Sequence, residues 1–143
     1  MNLIKNKNIV YSLILGFLGF IVASYLTILH FKNILPPCNL TSNCETVLTS
    51  EFASIGPVPL ALLGSLFYLA VIVLCVLILT NYKKVFLDAF YIVSVIGFAV
   101  SIILILIQAY IIHAFCQYCL ASEAISTGIV LLAFLKYKED KKV

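Results

Sequence analysis

Apolar positions fall in four long stretches, at about 9–31, 60–80, 85–112 and 115–135, separated by polar breaks. Each is long enough to cross about 30 Å of hydrocarbon as a helix. The third is the longest, so it is expected to tilt or to project beyond the bilayer. The first follows Lys5 and Lys7, as a signal peptide's apolar core would. It is too long for such a core, and no small-residue cleavage site follows it. The pattern therefore predicts a retained helix and an all-α integral membrane protein. Its expected architecture is a four-transmembrane-helix bundle forming one domain over 1–143.

The polar break at 32–59 is the sizeable one. Pro36-Pro37 and Pro57-Val58-Pro59 bracket it as helix breakers. Inside it, Ser42 and Glu45 have capping-box spacing. Val47, Leu48, Phe52 and Ile55 then recur at one-, three- and four-residue steps. This predicts a short amphipathic helix in the loop, lying on the membrane surface over the bundle. No internal repeat or low-complexity tract interrupts the chain.

Composition agrees with the pattern. The chain is 64% hydrophobic and 10% charged, against about 45–50% and 25% in soluble domains. The net charge of +3 says little about nucleic acid, because the lysines sit at span ends. Lys5, Lys7, Lys83, Lys84, Lys136, Lys138, Lys141 and Lys142 fall on one side, and Lys32 on the other. The positive-inside rule assigns the lysine-rich side to the cytoplasm. Both termini are then cytoplasmic, and the loop at 32–59 and the turn around His113 lie on the outer face.

Small residues on the spans allow close helix packing: Gly16, Gly19 and Ala23 on the first, Gly64 on the second, Gly97 on the third. Ser94, Ser101 and Gln108 recur every seven residues on the third span. They read as interhelical hydrogen-bond glue, with Gln108 also a candidate for a ligand pocket near the outer end.

Four of the five cysteines form two close pairs, Cys38/Cys44 in the loop and Cys116/Cys119 at the start of the fourth span. Both pairs fall on the non-cytoplasmic, oxidising side, where disulfides persist. Cys75 lies about 22 Å along the second span and reads as a buried hydrophobe. Four thiols on one face allow static staples, a zinc site or a thiol relay. Helical Cys-x-x-Cys disulfides are usually redox-active, and Cx5C…CxxC is a weaker zinc signal than two CxxC pairs. In the relay, the loop pair exchanges with a soluble protein and the other pair with a lipid-soluble oxidant, for which a quinone is the obvious choice.

The start of the fourth helix favours a thiolate at Cys116. Cys116, Cys119 and Glu123 share a helix face. Glu123 is the acidic residue well inside a span, and such acids are costly. It is expected either to relay a proton toward the quinone or to hydrogen-bond a neighbouring helix. His113 and His30 read as solvated interfacial residues or as groups serving a thiolate or a quinone carbonyl. Tyr25, Tyr110 and Tyr118 read as interfacial aromatics.

Three stretches carry a family resemblance. They are Cys38-Asn39-Leu40-Thr41-Ser42-Asn43-Cys44-Glu45-Thr46-Val47-Leu48-Thr49-Ser50, Gly56-Pro57-Val58-Pro59-Leu60-Ala61-Leu62-Leu63-Gly64, and Cys116-Gln117-Tyr118-Cys119-Leu120. With the helix count and the order of the pairs, the chain resembles the vitamin K epoxide reductase family in its bacterial form. The resemblance implies a bundle around a quinone, ubiquinone or menaquinone, with the loop as a lid. It implies that Cys38 meets a thioredoxin-like extracytoplasmic partner, acting in trans. Cys44 then attacks the Cys116–Cys119 disulfide, and Cys119 faces the quinone. Ser50 matches a lid serine, and Gln108, Glu123 and His113 are further candidates for the quinone site. No metal is implied. The implied activity is a membrane thiol:quinone oxidoreductase that supports disulfide formation in exported proteins, in a bacterial cytoplasmic membrane. Leu60 stands where vertebrate members carry an asparagine that binds the vitamin K carbonyl, which fits quinone reduction rather than epoxide reduction.

Two alternatives stand beside this. One resembles disulfide bond protein B, but there the close pair lies on the first outer loop and the spaced pair on the second. The other is a non-enzymatic four-helix transporter or scaffold with Glu123 as coupling acid, which leaves both cysteine pairs without a task.

Overall fold

The computed structural model describes residues 6–40 and 43–142. Lys5 and Ser42 lie outside the described residues. The four long helices are α1 (Lys7–Lys32), α3 (Leu60–Thr80), α4 (Lys84–Leu106) and α5 (Gln117–Lys141), with a short α2 (Cys44–Leu48) in the first loop. All four long helices are apolar and long enough to cross a membrane, the third counted through Ile112. A third or less of each span's most apolar window is buried inside the protein. The remaining apolar surface has no protein to cover it, so it faces lipid, and the chain is an integral membrane protein.

The bundle closes as a ring. Helix α1 packs on α3 and α5, and α4 packs on α5 and α3. Its core, in the half away from α2, joins Ile9, Val71, Cys75, Ile78, Leu87, Phe90, Ile129 and Ala133. Cys75 is fully buried there, as a small hydrophobe. Two glycines set the close approaches. A Cβ on Gly19 would run into the Tyr68 ring, and one on Gly97 into the Phe67 ring. Tyr68 can therefore lie across α1 and reach α5, where its hydroxyl donates to the Ser122 carbonyl at 2.6 Å. Gly64 faces Ala23 across the α1–α3 seam, and Thr27 meets Ser65 there at 3.5 Å.

Three elements differ from the expectation in detail. The loop helix stops at Leu48, so Phe52 falls on a 3-10 turn and Ile55 on a hairpin strand. Thr49 and Ser50 end the helix by donating their hydroxyls back to the Glu45 and Val47 carbonyls, at 2.7 Å each. Ser50 then turns extended. Asn43 flanks α2 without a side-chain cap bond, and the expected capping box rests on Ser42, outside the described residues. The chain continues into the antiparallel β1 (Ser54–Ile55) and β2 (Val58–Pro59), with Gly56 at φ 61° in the turn.

The fourth helix does not stop at Leu135 but runs to Lys141. Tertiary contacts hold the extension: Tyr137 stacks on Tyr91 at 4.6 Å, and Tyr82 donates to Asp140. Lys136 is buried on this stretch, over the Tyr82 ring. The third span ends in a π-helical turn at Ile107–Ile112, closed by His113 in the left-handed region.

The polar stripe on α4 is not one kind of contact. Ser94 donates to Phe90 of its own helix at 2.7 Å. Ser101 lines a cavity, and Gln108 bridges to α5.

Candidate functional site

Four of the cysteines collect at the end of the bundle where α2 lies over the start of α5. Cys38 and Cys44 form a disulfide, with their Cα atoms 6.2 Å apart. Cys116 and Cys119 are free thiols. In this state the loop sulfurs are bonded to each other and are not available as two of four zinc thiolates. Cys44 and Cys116 are both fully buried, in one cluster with Val47 and Ala114, and Cys38 and Cys119 pack against that cluster. Residues 72 positions apart in the chain are thus brought into one apolar patch by α2 lying over the start of α5.

Cys116 flanks the first turn of α5, and its carbonyl accepts from Leu120 at 2.9 Å. The Cys119 thiol donates to it, and the backbone N–H groups of Cys119 and Tyr118 point at the same sulfur. These donors hold the Cys116 thiol below its ordinary value although burial pushes the other way. Cys116 is thereby prepared as the thiolate of the pair.

Gln108 joins this turn to the interior. It is the second residue of the π-helical turn and is 3% exposed. Its backbone carbonyl accepts from Ala114 at 3.1 Å, and its side-chain Oε1 accepts from the Cys116 N–H at 3.1 Å. Its Nε2 donates to Glu123 Oε1 at 2.9 Å. One amide thus caps the helix carrying the Cys-x-x-Cys and orients the buried carboxyl. A π-helical turn in this place re-aims a side chain that a regular helix would carry elsewhere. Gln108 lines the cavity, but both its oxygen and its nitrogen are engaged by the protein.

A cavity of about 420 Å³ opens beneath α2. Its walls are mostly apolar, including Leu26, Leu60, Phe67 and Leu104. On the α5 side it meets Cys119, Ser122, Glu123 and Ser126. Glu123 Oε2 and Ser126 Oγ are buried without a hydrogen-bond partner among the described residues. The cavity therefore joins an apolar body to a sulfur and two unmatched polar atoms. That is the make-up of a site for a largely apolar ring carrying oxygen atoms, and a quinone fits it. Ile96 and Val100 line the cavity while 58% and 44% exposed, so its mouth reaches the lipid-facing side of α4.

Of the expected site residues, the structure brings Ser50, Gln108, Cys119 and Glu123 to this cavity. Ser50 lines it from the residue pair that ends α2, its hydroxyl bonded to the Val47 carbonyl. Leu60 lines the wall, and His30 stands at the rim, exposed. His113 is exposed, is not among the lining residues and serves instead as the left-handed end of the π-helical turn. It is not brought to the cavity.

Several participants escaped the sequence reading. Ser126 lies three residues past Glu123 on the same helix face, a signal that was present in the spacing. Tyr68 and Ser122 carried no such signal, since their meeting depends on the absent side chain of Gly19. Tyr118 and Gln117 also reach the loop, which spacing alone does not reveal.

Comparison with known protein families finds a match over residues 10–134 to the family described as Vitamin K epoxide reductase family. No curated protein matches the chain.

Proposed function

The chain belongs to the vitamin K epoxide reductase family, and on that premise we propose that it is a thiol:quinone oxidoreductase that reoxidises a thioredoxin-like partner outside the cytoplasm. Family membership implies the reaction class. The observation that carries the finer reading is the continuity of the sulfurs: Cys44 shares one buried cluster with Cys116, and Cys119 lines the cavity.

Cys38 exchanges with the partner's dithiol, which leaves the partner oxidised and the loop pair reduced. Cys44, as thiolate, attacks Cys116 Sγ of the Cys116–Cys119 disulfide. A Cys44–Cys116 bond forms and Cys119 leaves as thiolate. Cys38 then attacks Cys44 Sγ, closes the Cys38–Cys44 disulfide and releases Cys116. The observed pairing, Cys38 bonded to Cys44 with Cys116 and Cys119 free, corresponds to the product of this exchange. A quinone in the cavity accepts two electrons and two protons from the reduced pair. Cys119 stands nearest that space as the electron donor. Glu123, held by Gln108 at one oxygen and unmatched at the other, is placed to pass a proton into the cavity. Ser126 offers a second hydrogen bond on the same wall.

The decisive experiment measures quinone reduction by the purified protein with a reduced thioredoxin-like donor. Wild type is expected to turn over, and Cys119→Ala to lose turnover by at least about 10³-fold while remaining folded. Equal rates in the two proteins would refute the reading.

A further inference from the structure

The two residues inside the Cys-x-x-Cys reach across to the loop that carries the other pair. Gln117 Oε1 accepts from the Leu40 backbone N–H at 2.9 Å. The Tyr118 hydroxyl donates to the Pro37 carbonyl at 2.8 Å. Cys38 lies between these two anchor points. Residues 34–40 form no helix or strand of their own, so their position depends on contacts of this kind. Behind the Tyr118 ring, Tyr25 of α1 packs at a centroid distance of 5.9 Å. The ring is thereby braced between α1 and the loop. Helix α2, which follows the loop, carries Cys44 into the buried patch with Cys116. The first turn of α5 therefore holds both the target sulfur and the clamp on the segment that brings the attacking pair.

We propose that Gln117 and Tyr118 are positioning residues for electron transfer between the two cysteine pairs: their hydrogen bonds to Leu40 and Pro37 keep the loop in register, so that Cys44 meets Cys116. The proposal rests on the relay reading but not on the identity of the final acceptor. The two bonds lie on the exposed side of the site. They are therefore individually weak and can release when a partner engages Cys38.

A partition of one disulfide among three sulfurs tests this without quinone or partner. In a Cys38→Ala protein the Cys44 thiolate can attack the Cys116–Cys119 disulfide, giving Cys44–Cys116 and a Cys119 thiolate, and no Cys38 resolves the product. The protein is oxidised with a diamide-type thiol oxidant, which takes up the two electrons and two protons. It is then allowed to equilibrate, quenched in acid and mapped by non-reducing mass spectrometry. The ratio of Cys44–Cys116 to Cys116–Cys119 reports how well the loop presents Cys44. Adding Tyr118→Phe and Gln117→Leu is expected to lower that ratio roughly tenfold, the effect of losing two ordinary hydrogen bonds. Tyr118→Phe alone keeps the ring against Tyr25 and should give an intermediate ratio. An unchanged ratio in the double variant overturns the proposal, even if its melting temperature falls. If the ratio falls while wild type fails to reduce any quinone, the clamp stands and the quinone reading alone is lost.

Discussion

At the scale of single residues, the site is organised by Gln108 rather than by a cysteine. Its amide fixes the Cys116 backbone at one end and the Glu123 carboxyl at the other. The unmatched Oε2 of Glu123 gives a direct expectation. Glu123→Gln keeps the shape but removes the exchangeable proton, so quinone reduction should slow by about 10²-fold. Reduction of the Cys116–Cys119 disulfide by a small dithiol should be unaffected, and stopped-flow absorbance separates the two. Cys116 yields a second prediction. Its thiol is held low by the Cys119 thiol and by backbone N–H groups. A lowered value means that thiolate survives further into acid. The pH profile of its reaction with a small methanethiosulfonate should thus have its midpoint below the ordinary thiol value of about 8.5. In Cys119→Ala the principal donor is gone, and the midpoint should move upward. Peptide mapping after quenching at each pH checks both. Much of this level could be read from spacing: Cys116, Cys119 and Glu123 share a helix face by their three- and four-residue steps. The roles of Gln108 and His113 could not, because a π-helical turn shifts the register on which such counting relies.

At the scale of elements, length and end points have different causes. Helix α3 spans Leu60–Thr80 as its apolar stretch predicts, with Pro59 before it and a polar break after it. Helix α5 outlasts its apolar stretch because Tyr91 and Tyr82 give its last turns something to pack on. Helix α2 falls short of its amphipathic pattern because Thr49 and Ser50 take up its last carbonyls. In each of the latter two cases a local pattern yields to side-chain partners that only the fold supplies. The α1–α3–α5 contact makes the strongest stability prediction. Gly19→Ala would push the Tyr68 ring off α1 and strain its bond to Ser122. The expected cost is about 1–3 kcal/mol, read as a lower melting temperature in detergent. A second substitution, Tyr68→Leu, should recover part of the loss by removing the clash.

At the scale of the whole molecule, a membrane bundle of this size keeps little of its surface for itself. Each span offers one inward stripe and gives the rest to lipid. Composition was enough to show that division, because burying so much apolar surface within 143 residues is not possible in water. The arrangement around the ring was not legible, since four apolar helices of similar length carry few marks of who neighbours whom. The glycines marked close approaches without naming the partner side chains. The lysine asymmetry bears on orientation alone; the sulfurs, the loop and the cavity share one end of the bundle because α2 packs over the start of α5.

The exposed cavity residues Ile96 and Val100 on α4 have a consequence for how affinity must be measured. A site entered from the hydrocarbon samples its ligand at the concentration dissolved in the bilayer, not in the buffer. Diluting a fixed amount of quinone with added lipid should therefore raise the apparent KM in proportion when it is expressed per volume of solution. Expressed as mole fraction of quinone in lipid, it should stay constant. A titration across a tenfold range of lipid checks this, and an apparent KM that stays constant per volume of solution would refute it.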